Sequence, residues 1–247
     1  MKFMIFFVLS IFSILLIHCN ERPLDVDQII EKHIKVMGGE EILKHVSTLK
    51  LTGTFIWAGR EHDLKCYIKS PNHYRMEFMN FRLMFDGDDL WRMPERKGAA
   101  PKKTDTSSLT WLEFATFFQI NADIEGPLLG YKEKGHTVEL LGKTEVDGEQ
   151  YYELKIIRNN GLTEHWYIDC ETYLVTIKSY TVVYENKGAS FDSLTIKVYY
   201  SDYKPVDGLT FPHYNERTAR IFHFAQIIEQ VELNVPLDER LFSVTPQ

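Results

Sequence analysis

Residues 49–78 read LKLTGTFIWAGREHDLKCYIKSPNHYRMEF, and the period of that run decides the fold class. Leu49, Leu51, Phe55 and Trp57 alternate with Lys50, Thr52 and Thr54. Leu64, Cys66 and Ile68 alternate with Lys65, Tyr67 and Lys69, and Tyr74, Met76 and Phe78 with Arg75 and Glu77. Successive side chains of a strand point to opposite faces, so a period of two marks strands with one buried face. Ala58-Gly59 and Ser70-Pro71-Asn72 supply the breaks between them.

The pattern continues on both sides. Residues 82–85 and 90–93 flank Asp86-Gly87, a hairpin signal. Asp86, Asp88 and Asp89 belong to that turn, where Asp is favoured because its carboxylate bonds to nearby backbone. From Thr137 onward strands are expected at 137–144, 151–158, 163–168, 174–183, 194–200, 210–216 and 221–233. Turn signals separate them at Asp147-Gly148, Asn160-Gly161, 169–172, 186–189 and Asp207-Gly208. Long neighbouring strands with tight turns imply a meander: one strongly curved antiparallel sheet, or an open barrel.

Helical spacing appears in few places. Val26, Ile29, Ile30, His33, Ile34 and Met37 share a face over 25–37, with Asp25 and Gln28 as a capping box and Gly38-Gly39 as the stop. His33 on that face reads as a packed histidine, not a ligand. A second short helix is expected at 40–45. After a basic loop over 93–108, residues 109–120 read LTWLEFATFFQI. Apolar side chains go nearly all the way round this helix, so it is buried or faces something greasy on a second side. Residues 123–134 read as another short helix, broken at Gly126-Pro127. No domain boundary is visible, only a helical insertion in a continuous sheet.

The N-terminus indicates export. Lys2 is followed by MIFFVLSIFSILLI over 4–17, which fits a secretory signal and is short for a membrane span of about 20 residues. Cys19 stands where a lipoprotein's acylated cysteine would stand, with Leu16 three before it; His18 departs from the small residue usual there. A plain signal peptide cut nearby and an uncleaved tether are the alternatives. Acyl chains on Cys19 would hold the protein at a membrane surface. The composition, 44% hydrophobic and 26% charged, allows a sizeable core. The formal net charge is −7, without a Lys/Arg-rich run, which argues against a nucleic-acid partner. Cys66 lies mid-strand and Cys170 in a turn, so nothing in their setting pairs them. No Cys/His array suggests a metal.

Catalytic signatures are missing: no GxSxG, HExxH, Walker loop or strand–GxGxxG–helix unit occurs. His62-Asp63 and His165 read as polar residues on strands, and alternation is taken to set His62 away from its strand's apolar face. The distinctive chemistry is apolar. Each aromatic taken alone is accounted for by a core, yet an open curved sheet must cover its concave face, and helices do so here. A lid that is apolar on both sides could give way to an acyl chain in a mostly apolar pocket. The expected cavity uses Phe55, Trp57, Met76, Phe78 and Trp91 from the sheet, and Trp111, Phe114 and Phe118 from the lid helix.

The chain resembles the LolA/LolB-like outer-membrane lipoprotein-sorting proteins. The matching runs are IIEKHIKVMGGEEILKHVSTLKLTG (29–53), YIKSPNHYRMEF (67–78), FDGDDLWRMPE (85–95), GPLLGYKEKGHTVELLG (126–142), YYELKI (151–156), HWYIDCETYLV (165–175), YYSDYKPVDGLTFP (199–212) and VELNVPLDERLF (231–242). The resemblance implies an α+β, mostly β fold: an unclosed antiparallel half-barrel with helices covering its concave face. It divides the chain into a signal peptide at 1–18 and a single lipid-binding domain at 19–247. It implies non-covalent binding of lipoprotein acyl chains or another amphiphile, without a cofactor, in the periplasm or at the outer membrane. Carrier members have an Arg before the Pro at the end of the second strand, and it latches the lid. Ser70 stands there before Pro71, and it cannot make an arginine's fork of hydrogen bonds. A carrier cycle with a latched lid is therefore not expected, and a lipid anchor at Cys19 would fit a fixed receptor or binding protein better than a shuttle. The rival readings are a membrane-anchored lipoprotein with a filled core that binds an envelope protein, and a hydrolase with His62 or His165 in the cleft. An empty or filled concave face separates lipid binding from the first rival, and a nucleophile beside His62 or His165 would be needed for the second.

Overall fold

The structure is a computed structural model and describes residues 24–94, 99–184 and 193–244. The 1–18 leader, Cys19 and the turn expected at 186–189 lie outside them. Two meanders make one antiparallel sheet of thirteen strands among the described residues. The first runs β1 (Thr48–Trp57), β2 (Arg60–Lys69), β3 (His73–Phe78), β4 (Phe81–Phe85), β5 (Leu90–Arg92) and β6 (Lys102–Lys103). The second runs β7 (Thr137–Val146), β8 (Glu149–Ile157), β9 (Thr163–Asp169), β10 (Val175–Val183), β11 (Ser193–Val206), β12 (Leu209–Ala219) and β13 (Phe222–Leu233). They join at a single seam, β1 against β13, where Leu49 faces Leu233 and Trp57 faces Phe224. Strands β6 and β7 end the sheet without pairing to each other, so the half-barrel is unclosed. The loop expected over 93–108 contains β6, a two-residue strand too short to show a period.

The seam bends at Gly53, where the register slips by one residue. A Cβ there would collide with the carbonyl oxygen of Ile227 and approach the Glu229 nitrogen to 3.0 Å. Glycine lets β13 come close, and the bulge adds twist and curvature to the strand.

Helix α1 (Val26–Val36) starts as its sequence indicates. The Gln28 N–H donates to Asp25 Oδ1 at 2.8 Å, and the Asp25 N–H to Gln28 Oε1 at 3.1 Å. Its far end is fixed by the Thr210 N–H, which donates to the Met37 carbonyl at 3.0 Å. Ile29 and Ile30 then pack on Leu154, Ile156, Trp166 and Ile168 of the second meander. The short α2 (Glu40–His45) follows. Helix α3 (Leu109–Ala122) connects the edge strands β6 and β7 and lies over the first meander, with Phe117 and Phe118 against Cys66, Tyr74 and Met76. Its Ile120 packs on the other side against Tyr180, Leu194 and Ile196. That two-sided contact explains why α3 lacks a polar stripe.

Three expectations need correction. Residues 124–135 form successive turns instead of a helix. Gly126, at φ 74°, leaves the helical region, and Pro127 offers no N–H to continue one. His62 has the parity of Leu64 and pairs with Phe55, so it shares their inward face at the rim. Trp91 points away from the concave side. Its rung is Tyr67, Arg75, Met84 and Trp91, and it packs with Met84, Met93 and Phe242 on the outer face. Leu90, not Trp91, is the inward residue of that short strand. Asp86 behaves as expected: its Oδ1 accepts the N–H groups of Asp88 and Asp89 at 3.1 and 2.8 Å.

Candidate functional site

Strand register places an unusual set of residues on the concave face. One rung across the second meander reads Leu154, Trp166, Lys178, Val198, Arg217 and Phe224. The next reads Ile156, Glu164, Tyr180, Ile196 and Ala219. Three charged residues, Glu164, Lys178 and Arg217, therefore point inward among apolar ones. Burying a charge is costly unless it is paired, so each needs a physical account.

Between α1, the 124–135 turns and the sheet lies a cavity of about 230 Å³. Ile34, Leu51, Ile124, Val198, Tyr200 and Ile228 make much of its apolar wall. His33, Arg158, Lys178 and Gln226 are among its polar groups. Its volume falls below the roughly 300–1,000 Å³ usual for drug-sized ligands, so one slender chain suits it better than a bulky ligand.

Two networks hold charged groups of the concave face. At the end of β8, Arg158 Nε donates to Glu164 Oε1 at 2.5 Å, and the Trp166 Nε1–H donates to Glu164 Oε2 at 3.0 Å. Arg158 Nη1 also faces Asp123 Oδ2 at 3.8 Å. In the second network, Glu113 of α3 is 2% exposed and Arg217 of β12 is 1% exposed. Arg217 Nη2 donates to Glu113 Oε1 and to the Tyr180 hydroxyl, which lies 3.3 Å from the same carboxylate oxygen. The guanidinium stands over the Phe117 ring at 4.2 Å. An ion pair thus ties the covering helix to the sheet, and α3, having no polar stripe, takes its rotation from it.

His33 donates from Nδ1 to the Tyr173 carbonyl at 2.9 Å and sets its ring edge-on to Trp166 at 6.1 Å. Burial is the main cause that pushes its pKa down, to about 4. The ring is then neutral in the fold and protonated in the unfolded chain between about pH 4 and 6.5. The unfolded state binds more protons there, so stability is full above pH 6.5 and falls as pH drops through that window. The expected contribution is on the order of 3 kcal/mol. Urea unfolding at pH 7 and pH 4.5 checks it: His33→Asn should show the smaller acid loss, and equal losses would contradict this account.

Of the eight residues expected at the site, none lines this cavity. Six form one aromatic cluster beside it. Phe55 meets Phe78 at 4.7 Å, Phe78 meets Phe114 at 6.3 Å, Phe114 meets Trp111 at 6.0 Å, and Phe118 meets Tyr74 at 4.7 Å. Met76 is buried among them. Trp57 sits at the rim, 46% exposed. Trp91 is outside, and its Nε1–H donates to Asp86 Oδ2 at 2.7 Å. Phe117 belongs to both cluster and cavity wall. Neither His62 nor His165 lines the cavity; His165 Nδ1 lies 2.9 Å from Glu153 Oε1. Cys66 and Cys170 are free thiols, and burial pushes the Cys66 thiol up to about 12, which makes it unreactive. Sequence reading passed over Glu113, Arg158, Glu164, Lys178 and Arg217. For the strand residues the signal was available: Lys178 has the parity of Tyr180 and Val182, and Glu164 that of Trp166 and Ile168.

No family model matches the chain, and no curated protein sequence does. Solved structures do. A LolA superfamily protein, NE2245 from Nitrosomonas europaea, superposes with a TM-score of 0.57 at 13% identity, covering 90% of this chain and 98% of that one. An outer membrane lipoprotein-sorting protein domain from Vibrio parahaemolyticus gives 0.56 at 13%, covering 87% and 95%. A DUF1329 family protein from Desulfovibrio piger gives 0.57 at 12%, again covering 87% and 95%. At these identities the likeness concerns architecture: an unclosed antiparallel sheet with helices over its hollow side. The chain accordingly has the LolA-like fold that its sequence runs resemble.

Proposed function

We propose that the protein binds an acyl chain, of a lipoprotein or another amphiphile, non-covalently in the central cavity. The observation that carries this reading is a mostly apolar cavity of about 230 Å³ left on the concave face beneath the helices. Each Å² of chain removed from water there contributes about 25 cal/mol. The neighbouring aromatic cluster, Phe55, Met76, Phe78, Trp111, Phe114 and Phe118, closes one end, and a longer chain would enlarge the site by displacing it with α3. Export through the 1–18 leader, and a lipid anchor at Cys19, would set this binding at the membrane facing the periplasm. No residue is assigned bond-making chemistry.

Native mass spectrometry with lipid extraction, on protein purified without detergent, tests the reading. A stoichiometric lipid or acylated peptide should co-purify. Ile124→Trp, which fills the cavity from the turn segment, should cut uptake of a fluorescent fatty acid at least tenfold while leaving the fold intact. A clean apo mass with no uptake by the parent protein would instead favour a filled core and a protein partner. The α3 aromatics that already occupy the first meander's half of the hollow are what give that second reading its footing.

A further inference from the structure

Two cationic side chains that line the cavity have hydrogen-bonding capacity in excess of their partners. Lys178 is turned inward by register, between Trp166 and Val198. Its Nζ stands 3.8 Å from the Trp166 ring centroid and 5.0 Å from that of Tyr200. Among the described residues it makes no ion pair, although its ammonium carries three N–H donors. Arg158 is 7% exposed, and its Nη2 is buried without a hydrogen-bond partner among the described residues. Buried donors are nearly always satisfied, so the open Arg158 Nη2, on the same cavity as a half-buried ammonium without an ion pair, points to something that completes both.

The nearby carboxylates do not fill that role. Glu164 is occupied by Arg158 Nε and the Trp166 indole at 2.5 and 3.0 Å. Asp123 and Glu125 are held by Lys134, at 3.3 and 3.1 Å. The acidic groups are committed to other donors, whereas Lys178 Nζ and Arg158 Nη2 are not. The groups around Lys178 are His33 from α1, Glu164 and Trp166 from β9, Tyr200 from β11, and Arg158 and Asp123 from the segments beside them.

We propose that the ligand is a single-chain amphiphile with an anionic head, seated against Lys178 Nζ and Arg158 Nη2 with its chain along the apolar wall. This rests on the lipid-binding reading and specifies its ligand class. Charge-assisted hydrogen bonds are roughly twice as strong as neutral ones, and an anion would offset the burial of Arg158 and pair the half-buried Lys178. Burial holds the Lys178 pKa down at about 8, and an incoming anion would favour its charged form. A carboxylate and a phosphate share this chemistry.

The test uses the full chain, stripped of lipid, with dodecanoate, dodecyl phosphate and dodecanol as probes in titration calorimetry at pH 7. Dodecanoate or dodecyl phosphate should bind at least tenfold more tightly than dodecanol, and whichever is tighter names the head. Lys178→Met, which keeps the stem's length, should erase that preference while still binding dodecanol. Equal affinity of the parent protein for dodecanol and both anions would overturn the proposal and leave lipid binding standing. So would an unchanged preference in Lys178→Met. Failure of all three probes would overturn the lipid-binding reading itself, and this inference with it.

Discussion

Replacing Glu113 by alanine is expected to lower the unfolding free energy by about 3–5 kcal/mol, the usual result of removing one partner from a buried ion pair. At this size that corresponds to a fall in Tm of roughly 6–20 °C. The physical reason is Arg217. It is 1% exposed, and its Nε and Nη1 already lack partners among the described residues. Without Glu113 its charge would keep, among the described residues, the Tyr180 hydroxyl and the faces of Phe117, Tyr180, Phe222 and Phe224. Thermal and urea unfolding measure the loss. Joining Glu113→Leu to Arg217→Met should recover most of it, because well-packed apolar replacements of a buried pair are commonly neutral or stabilising. A loss below about 1 kcal/mol in the single variant would mean that the guanidinium finds other partners, and the pair would no longer explain the placement of α3.

Gly53→Ala should be nearly as damaging, costing about 3 kcal/mol or more, the upper end for overpacking. The added methyl has nowhere to go. It meets the Ile227 carbonyl and the Glu229 nitrogen, which are backbone atoms of β13 and cannot rotate aside as a side chain would. Either the bulge opens or β13 withdraws, and both break the seam on which the two meanders depend. The same change at Gly59, where a Cβ would meet nothing within 4 Å but the backbone has φ 72°, tests the contrast. That variant should lose only about 1 kcal/mol, the usual strain of a non-glycine residue in this region. Comparable losses in the two would contradict a steric origin at Gly53.

Much of the architecture was legible because sheet sequences announce themselves. Alternation and paired turn residues located every long strand, and Asp25 with Gln28 marked the start of α1. The misreadings have separate causes. In the turn segment after α3, apolar residues sat at helix-like intervals, but Gly126 and Pro127 decided the backbone. In β5, three residues are too few for parity to tell Leu90 from Trp91. Parity itself says whether a side chain points inward. It does not say at what height along the strand the hollow remains empty, and that depends on how far α1 and α3 reach across it. The aromatic cluster was therefore found, but the cavity was placed within it instead of beside it. Glu164 and Lys178 were passed over because charged strand residues ordinarily face water, and Arg217 because β12 runs to Ala219, past the expected end at 216. Here their parity was the better guide.

The seam between β1 and β13 also has a consequence for the order of events during folding. Each meander can assemble from neighbouring hairpins as the chain emerges, but Leu49 must wait for Leu233. Contacts so distant in sequence incur a large loop-closure entropy and form slowly. Until the last strand exists, β1 presents an open hydrogen-bonding edge beside an apolar face, which is the form of surface that recruits other chains. A ribosome or a translocation channel would therefore release a first half whose core still waits for Phe224 and Ile228, and β13 acts as the clasp that ends its exposure.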